Sequence, residues 1–192
     1  MNTLLVGAGY WGKNFIRLLE NEDNIFNLKY ILDAQNRLTN YKSFTRIEDL
    51  ENVVEDIDCA IICTPTKTHY EISKFLLAKN INLLVEKPLT SNLLEAKELF
   101  NIANQNDLVL MTDHTFLYNT SIKYIIEFIK SGELGELIHI SFERTNLGPI
   151  RTDVSCLWDL ATHDVSIMNA LIDEEILSLD EKATTVVPYW LL

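Results

Sequence analysis

The stretch Thr3-Leu-Leu-Val-Gly-Ala-Gly-Tyr-Trp-Gly12 decides the fold. Thr3 to Val6 is a short apolar run without charge, the pattern of a strand buried on both faces of a parallel sheet. Gly7, Gly9 and Gly12 follow at G-x-G-x-x-G spacing. Lys13 to Glu20 then has helical composition, with Phe15, Ile16 and Leu19 able to share one face. Strand, glycine turn and helix in that order is the context that gives the motif meaning. The first glycine permits the tight turn, and the second lets backbone N–H groups approach a pyrophosphate. The third lets helix and strand pack closely. Tyr10 and Trp11 sit inside the same turn and belong to the same binding loop.

Asn27 to Asp33 reads as the next strand, ending in a carboxylate about 20 residues beyond Gly12, the distance at which an acid accepts ribose hydroxyls. A 2′-phosphate would be repelled there, and no arginine adjoins Asp33, so NAD is favoured over NADP. Asp58 to Thr64 is another buried strand, closed by Pro65. Lys67 to Asn80 is an amphipathic helix, Ile81 to Val85 a strand, and Ser91 caps a helix carrying Leu94, Leu99 and Ile102. Leu108 to Met111 is a further strand. This alternation predicts an α/β protein with a Rossmann-like, doubly wound parallel sheet.

The pattern changes near residues 114 to 120. Thr120 to Lys130 is a helix ended by Gly132. Leu137 to Arg144 alternates, with Ile138, Ile140 and Phe142 on one face, and predicts a half-buried strand of an antiparallel or mixed sheet. The chain thus divides into a dinucleotide-binding domain over 1–117 and a partial α+β domain over 118–192. The apolar run Ala183 to Leu192 suggests a sheet cut off part-way, an edge that calls for a partner.

Composition narrows the function. The net charge of −12 over 192 residues argues against a general nucleic-acid or anionic-membrane surface. No apolar run has transmembrane length, and the first strand begins too early for a signal peptide. The three cysteines form no C-x-x-C pair, and no third ligand joins the Asp159–His163 pair, so no metal site is expected. A cytoplasmic protein is the expectation.

Several residues can carry chemistry. Lys87, in Glu86-Lys-Pro88, follows a strand at the sheet edge where ligands bind, and can hold a substrate hydroxyl. Asp159 and His163, four apart on one predicted helix, can bind a sugar-like hydroxyl and take its proton, with Asp159 orienting or charging His163. A helix-capping aspartate beside a core histidine is the structural alternative. Asp164 reads as an outward-facing or helix-dipole residue. Thr64 and Pro65 can shape the pocket under a nicotinamide ribose, and His69 can fix that loop. Arg144 and Arg151 flank a Gly148-Pro149 turn and can either bind a substrate anion or stand in solvent.

Together these pieces resemble the Gfo/Idh/MocA family of NAD(P)-dependent oxidoreductases. The resemblance rests on Gly7-Ala-Gly-Tyr-Trp-Gly12, Asp33, Cys63-Thr-Pro-Thr-Lys-Thr-His69, Glu86-Lys-Pro88, Gly132-Glu-Leu-Gly135 and Asp159-x-x-x-His163. It implies a Rossmann domain followed by a substrate domain with a large, mainly antiparallel sheet, one that commonly builds homo-oligomers. It implies a catalytic set of Lys87, Asp159 and His163. His163 is then general acid/base, Lys87 binds the reacting oxygen, and Asp159 binds substrate or tunes Lys87. It further implies NAD contacts from the glycine turn, Asp33, Thr64, Pro65, His69 and Glu86, with Arg144 and Arg151 near the substrate. The stretch from Arg144 to Arg151 with Leu157 to Leu160 is most similar to members handling nucleotide sugars. Two departures stand out. Leu117-Tyr-Asn-Thr120 replaces the family's Arg-Phe-Asn-Pro, and the chain is much shorter than its relatives. The expectation is an NAD-dependent dehydrogenase of sugar or polyol hydroxyls. The rival is an NAD-binding module without turnover, and a methyltransferase is a distant third that leaves Lys87, Asp159 and His163 unused.

Overall fold

Residues 1–20, 25–34, 43–44, 48–51, 54–145, 154–155, 157–172 and 178 are described by a computed structural model. Its centre is β1 (Asn2–Val6), buried from Thr3 onward. The glycine turn leads from β1 into α1 (Gly12–Leu19), after which come β2 (Asn27–Leu32), the two-residue β3 (Ser43–Phe44) and α2 (Glu48–Glu51). Then β4 (Cys59–Ile62), α3 (His69–Ala78), β5 (Asn82–Glu86), α4 (Leu93–Gln105) and β6 (Leu110–Asp113) alternate. The six strands pair in parallel in the order β3-β2-β1-β4-β5-β6. The order reverses between β1 and β4, which opens a ligand crevice at their C-terminal ends.

Strand side chains alternate between faces, and the core divides accordingly. Leu4, Val6, Ile62 and Val85 meet Leu76, Leu77, Leu99 and Ala103 of α3 and α4 on one face. Leu5, Ile31 and Ile61 meet Ile16 and Leu19 of α1 on the other. A sheet covered on both sides explains why its strands read as unbroken apolar runs.

The capping residue of α4 is Asn92, not the expected Ser91. Asn92 is extended, and its side-chain oxygen accepts from Leu94 N at 2.8 Å. The helix begins one residue later than the pattern suggested, and asparagine caps as well as serine does. Asn92→Ala is expected to cost about 1 kcal/mol in chemical denaturation, and Ser91→Ala almost nothing. Equal effects would contradict this assignment.

Beyond β6, residues Thr115–Tyr118 form a 3-10 turn and α5 spans Thr120–Lys130, packed against that turn and against α6 (Thr162–Leu171). Leu137 to Arg144 departs from expectation. It forms no strand, and Ile138 is 89% exposed. Alternation produces a strand only where a neighbour completes the hydrogen-bond ladder, and among the described residues none does so. The expected strand at Ala183 to Leu192, and Arg151 with Gly148-Pro149, lie outside the described residues. No described helix is long and apolar enough to cross a membrane.

Candidate active site

The glycine turn is built by close approach. Gly7 has φ +94°, and a Cβ there would sit 2.7 Å from the Cys63 carbonyl oxygen. A Cβ on Gly12 would collide with the Gly7 carbonyl oxygen. The turn is thus pressed against the end of β4, with Tyr10 and Trp11 exposed on its outer side and their rings edge to face at 5.9 Å. Asp33, at the end of β2, is 2% exposed, and its Oδ2 accepts from Ala8 N at 2.7 Å. One carboxylate oxygen therefore braces the turn that a dinucleotide would straddle.

At the ends of β4 and β5 the site gains its polar groups. Thr64 Oγ1 accepts from Thr68 Oγ1 at 2.7 Å, and Pro65 is exposed. His69, expected to fix this loop and placed by the resemblance among the NAD contacts, is turned inward and 1% exposed, with Nε2 2.8 Å from Thr64 O and Nδ1 3.0 Å from Pro88 O. Glu86 and Asp113 are register partners at the ends of β5 and β6. Register pairing sets the two carboxyl groups side by side. Burial first, then the Asp113 charge, pushes Glu86 up to about 7, and burial raises Asp113. The pair is suited to share a proton.

A buried acid with a raised pKa holds its proton more tightly in the fold than in the unfolded chain. Stability is therefore lost as pH rises from about 4.5 through about 7. Glu86→Gln keeps the shape and removes the titration. It should stabilise the protein by about 2 kcal/mol at pH 8 and by almost nothing at pH 4.5. Urea melts at both pH values check this, and a pH-independent difference would refute it.

Lys87 reaches across to the second segment. Its Nζ donates to both the carbonyl oxygen and Oδ1 of Asp159, each at 2.8 Å, and the side chains are only 10% and 19% exposed. Asp159 lies in a π-helical turn, Leu157–Ala161, that runs into α6. The predicted continuous α-helix is therefore distorted at the aspartate, and Asp159 turns to Lys87 rather than orienting His163. His163, 8% exposed in the first turn of α6, has a buried Nδ1 with no hydrogen-bond partner among the described residues. Burial first, then the positive charges of Lys87 and Arg144, lowers it to about 4. The imidazole is thus neutral at physiological pH and able to accept a proton.

Arg144 closes one side. Its guanidinium pairs with Asp164 at 2.7 to 2.9 Å through two nitrogens and lies 4.8 Å over the Phe116 ring. Phe116 in turn meets His163 edge to face at 4.8 Å. Asp164 lies in the first turn of α6, where a carboxylate meets the helix dipole as expected, and it gains Arg144 as a partner besides. Asp113, His114 and Phe116 were missed in the sequence. They follow a strand end, just as Glu86 and Lys87 do, which was the available signal.

The sheet order, the glycine turn and the braced Asp33 define a dinucleotide-binding Rossmann domain. Residues 1–114 match the GFO_IDH_MocA model, described as an oxidoreductase family with an NAD-binding Rossmann fold, and the chain belongs to that family. It is 28% identical over 87% of its length to 4-carboxy-2-hydroxymuconate-6-semialdehyde dehydrogenase of Sphingobium sp., covering 58% of that protein. It is 26% identical over 66% of its length to UDP-N-acetylglucosamine 3-dehydrogenase of Acidithiobacillus ferrooxidans, covering 39% of it. The fold superposes on GenD2 from gentamicin A biosynthesis, solved with NAD, with a TM-score of 0.76 at 22% identity, over 89% of this chain and 53% of that one.

Proposed function

We propose that the chain carries an NAD-dependent dehydrogenase acting between a secondary hydroxyl of a sugar, sugar nucleotide or related polyol and nicotinamide. The observation that carries the reading is the Lys87–Asp159 pair, which holds a buried ammonium at the sheet edge beside the helix of His163. The Gly7–Gly12 turn, too tight for a Cβ at Gly7 or Gly12, suits a pyrophosphate, and Asp33, at the end of the next strand, suits the adenosine ribose. When bound, NAD supplies the hydride acceptor. Lys87 donates to the substrate oxygen and lowers the cost of its developing negative charge. Asp159 keeps the ammonium aimed, and neutral His163 takes the hydroxyl proton. The relative acting on UDP-N-acetylglucosamine supports a sugar-nucleotide substrate.

The test is NADH formation by the full 192-residue chain against nucleotide sugars, inositols and free sugars. Activity lost in both Lys87→Ala and His163→Ala is the expected result. A second reading, an NAD-binding module without turnover, draws on the fraction of the relatives that the chain spans. NAD binding with no turnover on any substrate would favour it. Association of copies through the C-terminal segment belongs to the first reading, and light scattering checks it.

A further inference from the structure

The imidazole of His69 lies between two loops that carry different parts of the site. It opens α3, five residues after Thr64 at the end of β4, and Pro88 follows β5. Its two ring nitrogens face the carbonyl oxygens of Thr64 and Pro88 at 2.8 and 3.0 Å, and the ring is 1% exposed. Carbonyls accept, so each contact needs a ring N–H: a neutral imidazole supplies one, to either carbonyl according to its tautomer, and the imidazolium supplies both. Pro88 is the residue directly after Lys87. Upstream, the Lys87 amide donates to Glu86 Oε2 at 3.2 Å, so the backbone is held on both sides of the lysine.

We propose that His69 is a positioning residue for Lys87, clasping the Thr64 and Pro88 carbonyls so that the lysine backbone is fixed and its ammonium reaches Asp159. The inference rests on the reading of Lys87 as the group that meets the substrate oxygen, although the clasp itself can be measured without turnover. The lysine ammonium meets two oxygens of one residue at 2.8 Å each. A shift of an ångström at Pro88 would break both contacts. A histidine acting only as core filling would leave Lys87 indifferent to its replacement by a side chain of similar bulk.

The experiment is competitive acetylation of the full chain, read by mass spectrometry lysine by lysine, in the parent, His69→Ala and His69→Gln. Lys97, on the exposed side of α4, serves as the internal reference. In His69→Ala the rate at Lys87 relative to Lys97 should rise about tenfold, the equivalent of one net hydrogen bond lost. His69→Gln, whose amide can still donate to one carbonyl, should show a smaller rise. Unchanged Lys87 labelling in folded His69→Ala overturns the clasp. If that variant does not fold, unchanged Lys87 labelling in His69→Leu, which keeps bulk without a donor, does so instead. A clasp that survives this test in a chain without dehydrogenase activity would refute the functional reading and leave the positioning role standing.

Discussion

Gly12→Ala is expected to abolish NAD binding and to cost about 3 kcal/mol of stability, the upper part of the usual range for overpacking. The reason is not backbone freedom, because Gly12 is the first residue of α1 and is helical. It is contact. A methyl group at that position meets the Gly7 carbonyl oxygen and lies 3.0 Å from the Gly7 carbonyl carbon. Both are backbone atoms at the end of β1, so no side chain can move aside. The helix must retreat from the strand, taking Ile16 and Leu19 out of their packing with Leu5 and Ile31. The amides at its N-terminus move with it. Losing two charge-assisted hydrogen bonds to a pyrophosphate weakens binding by at least about 100-fold. Gly132→Ala is the matched control. Gly132 has φ +78° with no atom within 4 Å of the added Cβ, so only the left-handed backbone is penalised, by about 1 kcal/mol, with NAD affinity unchanged. Calorimetric titration with NAD and urea melts on both variants separate the two effects. A Gly12→Ala protein that binds NAD like the parent would contradict the close-contact argument.

What the chain reveals before folding follows from how local the cause is. The glycine turn, α1, β4 and the capped α5 are specified by residues within a turn or two of one another, and their spacing announces them. The site is less local. Glu86 and Asp113 become neighbours only because β5 and β6 pair in register, and no spacing along the chain encodes which strands will be adjacent. The Arg144–Asp164 pair joins an irregular segment to α6 in the same manner. Asp159 and His163 illustrate the limit of periodicity. Four residues apart, they share a face of a regular helix, yet the π turn at Leu157–Ala161 intervenes and Lys87 offers the carboxylate a cation. Leu137 to Arg144 fails for the opposite reason. Its alternation is strand-like, but a strand is a property of a pair, and one segment cannot supply both partners.

Lys87→Met tests the charge logic of the whole site. Methionine fills nearly the same space without the ammonium, so the packing is kept while the Asp159 pair is lost. Hydride transfer should fall about 1,000-fold, because both the hydrogen bond to the reacting oxygen and the charge beside it disappear. His163 should respond as well. Its pKa is held at about 4 first by burial and then by Lys87 and Arg144, so removing Lys87 moves it up, though burial keeps it below the ordinary histidine value of 6.5. The sign for stability follows. A histidine depressed in the fold binds its proton more readily when unfolded, so the parent loses stability as pH falls from about 6.5 through about 4. In Lys87→Met that loss is smaller, because the folded and unfolded values lie closer together. Asp159→Ala is the informative contrast. It removes the ammonium's charge partner and leaves it only the backbone carbonyl of residue 159, in a site where the Lys87 side chain is 10% exposed, which should cost about 3 kcal/mol. It also leaves the positive charge facing His163, so the histidine should not rise as it does in Lys87→Met. Side-chain nitrogen NMR of His163 across pH 3 to 8 in the three proteins reads this directly. A His163 titration unmoved by Lys87→Met would mean that burial alone sets its proton affinity, and that the lysine acts on the substrate oxygen without tuning the base.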